Sequence, residues 1–198
     1  MALLLVVTGT LGLPSPADAD PIEGFHTFTT GPACDRARTG VVAMGLDVFG
    51  SFGDAVEADQ NAAFDPAGDM PDGGPQDTVF QSMPFLCRTQ GGASRGHWLE
   101  TGRLEAVEAV AEGDSNRMTS RYTVDGIEVV LEVTFECNLL SQCYTFTNAT
   151  GADLEGVTLT PYLDGDLEFV AGGNNDYGGV SRDAPRTVYE FDAADSPD

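Results

Sequence analysis

The side chains best suited to chemistry are the oxygen-bearing groups of Asp164-Gly165-Asp166-Leu167-Glu168 and of Asn174-Asn175-Asp176, gathered where a strand-like segment ends. Calcium takes six to eight oxygen ligands, and carboxylates two residues apart in a loop converge on one ion. Asp164, Asp166, Glu168, Asn174, Asn175 and Asp176 are therefore the candidate ligands of a Ca2+ ion. The spacing is not that of an EF-hand: Phe169 stands where that loop needs glycine, and Asn175 where it needs a bidentate glutamate. A solvated turn rich in Asp and Asn accounts for the same residues without metal. Asp65, Asp69, Asp72 and Asp77 form a second, sparser acidic group, and its spacing matches no standard calcium loop.

Sugar stacking is the other chemistry on offer. Trp98, the one tryptophan, follows His97 and has Arg95 and Arg103 nearby, so Trp98 and His97 are the candidate ligand-binding residues. The competing use of a lone tryptophan is core packing. Covalent catalysis finds little support. There is no lysine, which excludes a Schiff base, a P-loop lysine and a Ser-Lys dyad. A hydroxyl-His-carboxylate triad would have to use His26 or His97, and no Gly-x-Ser-x-Gly elbow is present. Paired carboxylates serve glycoside hydrolysis, but among 32 acidic residues some pair meets almost any separation. The residues favour a non-catalytic protein.

Charge narrows the partners. The formal net charge is −23, and all nine basic residues are arginine. Such a field repels phosphate backbones and anionic lipid surfaces, which excludes nucleic acid and leaves a glycan or a cell-surface protein as partner. The apolar run Met1–Leu13 is too short to span a bilayer, and Ala17-x-Ala19 offers a signal peptidase a cut before Asp20. Residues 1–19 thus read as a signal peptide, although the usual basic start is missing. Residues 20–191 read as a single domain, and 192–198 as a linker-like acidic tail. The expected location is extracellular or periplasmic, with no membrane insertion after signal removal. Four cysteines in an oxidising compartment suggest two disulfides, Cys137 with Cys143 across a short loop and Cys34 with Cys87.

The elements that must position these residues are strands. Along Ile127–Cys137, apolar Ile127, Val129, Leu131, Val133 and Phe135 alternate with Glu128, Glu132, Thr134 and Glu136, the pattern of a half-buried strand. Asp125-Gly126 supplies a two-residue hairpin turn before it. Tyr144–Asn148 is its partner and carries a conflict. Setting Cys137 opposite Cys143 turns Tyr144 and Phe146 to the glutamate side, whereas bringing the aromatics inward separates the two sulfurs. A bulge, or cysteines borne by the loop, reconciles the two demands. Val157–Leu163 continues the sheet with Pro161 marking an edge, and Thr187–Phe191 reads as a last strand. Phe25–Thr30 and Thr39–Phe52 fit short strands or extended coil. Ala58–Gln76, rich in turn formers, reads as a long exposed loop. Leu104–Glu112 is where helix competes, because Leu104, Val107 and Ala111 fit one helical face. Asn148-Ala149-Thr150 fits an N-glycosylation site.

The aromatic strand, the Thr147-Asn148-Ala149-Thr150-Gly151 turn and the Leu154-x-x-Val157-x-Leu159 strand resemble pieces of secreted sandwich domains, among them immunoglobulin-like adhesin modules and the larger mutarotase-like sandwiches. The expectation is an all-β, antiparallel β-sandwich of two packed sheets with long acidic Gly/Pro-rich loops and one competing short helix. Its role would be that of a secreted non-catalytic module, surface-structural or ligand-binding and calcium-stabilised. The mutarotase-like resemblance implies the alternative of a carbohydrate-binding or carbohydrate-active domain.

Overall fold

Period-two alternation recurs along the chain, and packed antiparallel sheets are what such alternation builds. The computed structural model describes residues 2–7, 25–31, 33–35, 40–53, 62–65, 76–112, 115–165, 176–182 and 187–192. Its strands are β1 (Ala2–Val7), β2 (Phe25–Thr29), β3 (Val41–Asp47), β4 (Ala62–Asp65), β5 (Gln76–Asp77), β6 (Val79–Gln90) and β7 (Ala93–Trp98). There follow β8 (Arg103–Glu112), β9 (Ser115–Val124), β10 (Ile127–Glu136), β11 (Leu139–Asn148), β12 (Glu155–Gly165), β13 (Asp176–Val180) and β14 (Val188–Asp192).

They form a five-stranded sheet in the order β1-β11-β10-β9-β8, a four-stranded sheet β2-β3-β4-β5, a three-stranded sheet β12-β6-β7 and the hairpin β13-β14. Pairing is antiparallel except where β1 lies parallel on the edge of β11, from Ala2 opposite Leu139 to Val7 opposite Tyr144. The fold is an all-β sandwich. Its core lies between the five-stranded sheet, through Met118, Tyr122, Leu131, Val133, Phe135 and Leu140, and the four-stranded sheet, through Phe28, Val42, Met44 and Leu46. The rings of Phe28 and Phe135 meet across it, 6.0 Å apart. The three-stranded sheet contributes Val79 and Leu86 to the same core, and an isolated bridge between Phe52 and Ser82 ties it to the loop after β3.

The Asp125-Gly126 hairpin is present, with φ of 46° and 76° at the two turn residues, the left-handed pair that a type I′ turn requires. The register conflict of the next hairpin resolves in favour of the aromatics. Tyr144 sits opposite Leu131 and Phe146 opposite Val129, while Cys143 falls opposite Glu132 on the outer face. Burying two aromatic rings outweighs a local sulfur bridge. Cys137 is left in the two-residue turn at φ 54°, and its disulfide partner is Cys34, with the two Cα atoms 5.5 Å apart. The expected Cys137–Cys143 and Cys34–Cys87 bridges are therefore both corrected. Cys87 and Cys143 remain thiols on different sheets.

Two further expectations change. Leu104–Glu112 is a strand, not a helix. A bulge between Leu104 and Ala106 adds one residue, so Leu104 and Val107 both pack toward the core while Glu105 and Glu108 stay in water. That extra residue produces the three-residue apolar spacing of a helix within a strand. Inside the expected loop, Ala62–Asp65 and Gln76–Asp77 are short strands, paired through Ala63 with Asp77 and Phe64 with Gln76. The helical structure among the described residues is one 3-10 turn at Leu99–Thr101. The Ala17-x-Ala19 pattern, Asp69, Asp72, Asp166, Glu168, Asn174, Asn175 and the tail from 193 lie outside the described residues.

Candidate functional site

β6 is the middle strand of the three-stranded sheet, and its two faces differ in kind. Ser82, Pro84, Leu86 and Arg88 are buried on one face, whereas on the outer face Gln81, Phe85, Cys87 and Thr89 are half-buried and Met83 is buried. The register carries this division to the neighbours. Phe85 lies between Trp98 of β7 and Thr160 of β12, and Met83 lies beside Tyr162. Trp98, Phe85, Thr160 and Tyr162 thus share the solvent side. β7 ends at Trp98, where the chain turns into Leu99–Thr101, so no further β7 side chain covers the indole.

The rings on this face are in contact. Phe85 and Trp98 meet edge to face with centroids 4.8 Å apart at 71°. Trp98 and Tyr162 lie 6.3 Å apart at 76°. They come from strands two positions apart, a backbone separation of about 10 Å, so the side chains lean toward each other across β6. Gly96 makes this possible: a Cβ there would stand 2.5 Å from Cζ of Phe85, so the ring occupies space that any other residue would fill. Trp98 is 37% exposed and Tyr162 is 42% exposed. The tyrosine hydroxyl donates to Oδ2 of Asp164 at 3.3 Å. The negative charge of Asp164 raises the phenol above its usual pKa. Gln81, opposite Asp164 in the register, adds an amide at the rim. Apolar ring surface with a carboxylate, an amide and the Thr160 hydroxyl beside it suits a ligand with one C–H-rich face and hydroxyl edges.

The two sequence-derived ligand residues part company here. Trp98 is on the outer face, while His97 projects from the other side of β7 toward Asp125. There Arg88, only 4% exposed, donates from Nε to Oδ2 of Asp125 at 2.7 Å and from Nη1 to Gln90. Arg95 lies 3.7 Å from the same carboxylate, and His97 Nε2 lies 3.1 Å from it without a directed hydrogen bond. A near-buried arginine and a carboxylate in the β9–β10 turn form a structural clamp that fixes the three-stranded sheet to the end of the five-stranded one.

The most polar interior cluster is also structural. Residues Asp47 to Gly53 fold into the sandwich, and the five-stranded sheet receives them with hydrogen-bond donors. Ser120 donates to the Val48 carbonyl at 2.5 Å, Gln142 to Gly50 at 2.7 Å, and Tyr122 and Tyr144 to Phe49 at 3.4 Å each. Gly50 has φ 95°, and a Cβ there would stand 2.1 Å from the Tyr144 hydroxyl. Asp47 accepts the backbone N–H groups of Phe49 and Ser51 at 2.9 and 2.7 Å. Burial nevertheless pushes its carboxyl up to about 6, against the opposing pull of those N–H groups. Burial likewise raises both tyrosines. Ser51 is wholly buried and its hydroxyl has no partner among the described residues. A hydroxyl beside a carboxyl with a raised pKa has the ingredients of acid–base chemistry, but both groups are buried, and the donors of Ser120, Gln142, Tyr122 and Tyr144 are spent on the loop. His26, which could have served a triad, lies edge-on to Phe28 at 4.6 Å, and burial lowers its pKa.

Of the six calcium candidates, Asp164 is the one whose side chain is described, exposed at the end of β12. No group of three or more potential metal ligands is found among the described residues. Phe85, Tyr162 and Gly96 are the site residues that sequence reasoning missed. Their signal was the strand register, which brings an aromatic of β6 between aromatics of β7 and β12. No protein-family model, curated protein or solved structure matches the chain.

Proposed function

We propose that the chain is a secreted, non-catalytic carbohydrate-binding β-sandwich module whose binding surface is the Trp98–Phe85–Tyr162 corner. The observation that carries this reading is an exposed tryptophan braced edge-on by Phe85 and Tyr162 on the solvent face of a sheet. Aromatic rings of this size are stable in the core, so rings kept in water with oriented faces suit a stacked ligand. The Cys34–Cys137 disulfide suits an oxidising exterior. Affinity electrophoresis of the full chain through gels containing soluble polysaccharides tests the reading. Retardation in at least one gel, abolished by Trp98→Ala, is expected; unretarded migration in all of them, together with silence on a glycan array, rejects it.

Calcium belongs to this reading as a stabiliser of the connection that Asp164 begins, on the strength of ligand type. Millimolar calcium then raises the melting temperature, as any ligand selective for the folded state does. The rise is lost in the double variant Asp164→Ala, Asp166→Ala. Superimposable melts with calcium and with chelator remove the metal.

A further inference from the structure

The corner has a geometry that selects among carbohydrates. Successive rings of an extended polysaccharide offer parallel faces, and a surface that binds along such a chain needs aromatic rings lying in one plane at the spacing of the sugars. Trp98 and Tyr162 stand at 76° with centroids 6.3 Å apart. They make two walls of one corner. A sugar ring stacked on one wall meets the other edge-on, and that wall closes the path on its side.

The polar rim is equally restrictive. By register the outer face of β6, β7 and β12 carries no basic residue, and the corner itself is made by Gln81, Phe85, Trp98, Thr160, Tyr162 and Asp164. The cationic groups of these strands, Arg88, Arg95 and His97, point to the opposite side and converge on Asp125. Asp164, already accepting from Tyr162, has capacity left for hydroxyl donors. An acidic sugar would bring a second negative charge to this carboxylate with no cation on the outer face of these three strands to balance it, on a protein of net charge −23.

Resting on the carbohydrate-binding reading, we infer that the Trp98–Tyr162 corner recognises one neutral sugar ring at the end of a glycan chain. The chain interior and acidic sugars are not its ligands. Binding energy is concentrated in a single ring, its hydroxyl edge held by Asp164 and its C–H face held on an aromatic ring.

Isothermal titration of the full chain with neutral gluco-, manno-, galacto- and xylo-oligosaccharides of one to six units, and with the matching uronic acid oligomers, tests the inference. Affinity is expected to be complete at one or two units in at least one neutral series and flat beyond, with no heat from the uronic acids. Trp98→Ala and Tyr162→Ala each weaken it by about tenfold or more, the loss of one central aromatic contact. Tyr162→Phe, which keeps the ring and removes the hydroxyl held by Asp164, weakens it less. Trp98 is 37% and Tyr162 42% exposed, so cooperative melts with at most a small drop in midpoint certify that the variants fold. Affinity climbing with every added unit, or tighter binding of uronic acids, overturns the single-ring inference while leaving carbohydrate binding intact. Absence of binding in every series overturns both.

Discussion

On the five-stranded sheet Tyr122 and Tyr144 are wholly buried and send their hydroxyls to the Phe49 carbonyl; on the three-stranded sheet Trp98 and Tyr162 stand in water beside Phe85. The same class of side chain serves two purposes, and the neighbours decide which. The inner face of β9 and β11 carries Ser120 and Gln142 between its apolar residues, donors matched to the loop that enters the sandwich. A buried tyrosine needs such a partner because an unmade hydrogen bond there costs about 1–3 kcal/mol. On the outer face of β6, β7 and β12 Trp98 and Tyr162 are partly exposed, and the polar groups pair at the surface, Tyr162 with Asp164 and Thr89 with Ser94. One region holds the fold and the other offers a surface. Substitutions therefore separate into large effects on stability at the closed face and small ones at the open face.

The largest effect belongs to the disulfide. Cys34 and Cys137 are separated by 103 residues and tie the β10–β11 turn to the chain between β2 and β3. In the chain-entropy model a loop of that length is worth on the order of 4–5 kcal/mol. Cys137→Ser is expected to lower the free energy of urea unfolding by about that amount, whereas Cys87→Ser, on the open face, changes it by less than about 1 kcal/mol. Equal shifts in the two variants would mean that the bridge does not hold the closed half together.

Asp47 gives the next effect and makes it pH-dependent. A carboxyl with a pKa of about 6 in the folded chain and 3.8 outside it binds its proton more tightly when folded. Its contribution to stability is complete below 3.8, is lost as pH rises through 6, and amounts to roughly 3 kcal/mol at 1.36 kcal/mol per pH unit. Rising pH also deepens the self-repulsion of a chain at −23, so the wild-type slope alone is not diagnostic. Asp47→Asn isolates the group by keeping an acceptor for the Phe49 and Ser51 N–H groups while removing the titration. The variant's stability curve between pH 4 and 7 should be flatter than the wild type's, and parallel curves would refute the assignment.

Those two regions were unequally legible in the sequence. β9 to β11 announced themselves through alternation from Ile127 to Phe135 and through Asp125-Gly126, because a sheet with one buried face prints its period on the chain. The bulge in β8 broke that period and made a strand look helical. Disulfide connectivity was hidden for a topological reason: the turn that holds Cys137 meets residues 103 positions earlier, and nothing near Cys137 encodes that approach. Trp98 was conspicuous as a residue, but its corner was not, since Phe85 and Tyr162 join it only through the β6–β7 and β6–β12 registers. His97 adjoins Trp98 in sequence, and the alternation of a strand sends it to the other face. Adjacency in sequence was the wrong guide; lateral pairing was the right one.

The smallest stability effect is the most useful for separating the two uses of aromatic residues. Tyr144 is fully buried and touches the loop at Gly50, so Tyr144→Ala should cost about 3–5 kcal/mol, as other buried aromatic deletions do. Trp98→Ala removes an edge contact with Phe85 worth about 0.5–1.5 kcal/mol and the covered part of an indole that is 37% exposed, and should cost less than Tyr144→Ala. Tyr162→Ala on the edge strand β12 should fall within about 0.5 kcal/mol of wild type, like most surface changes. Urea titrations of the three variants side by side measure this gradient directly. A Trp98→Ala loss as large as that of Tyr144→Ala would make the indole part of the core and remove the physical basis for a binding corner. A Trp98→Ala cost well below that of Tyr144→Ala, with Tyr162→Ala near neutral, keeps both rings outside the core and leaves the proposed binding corner standing.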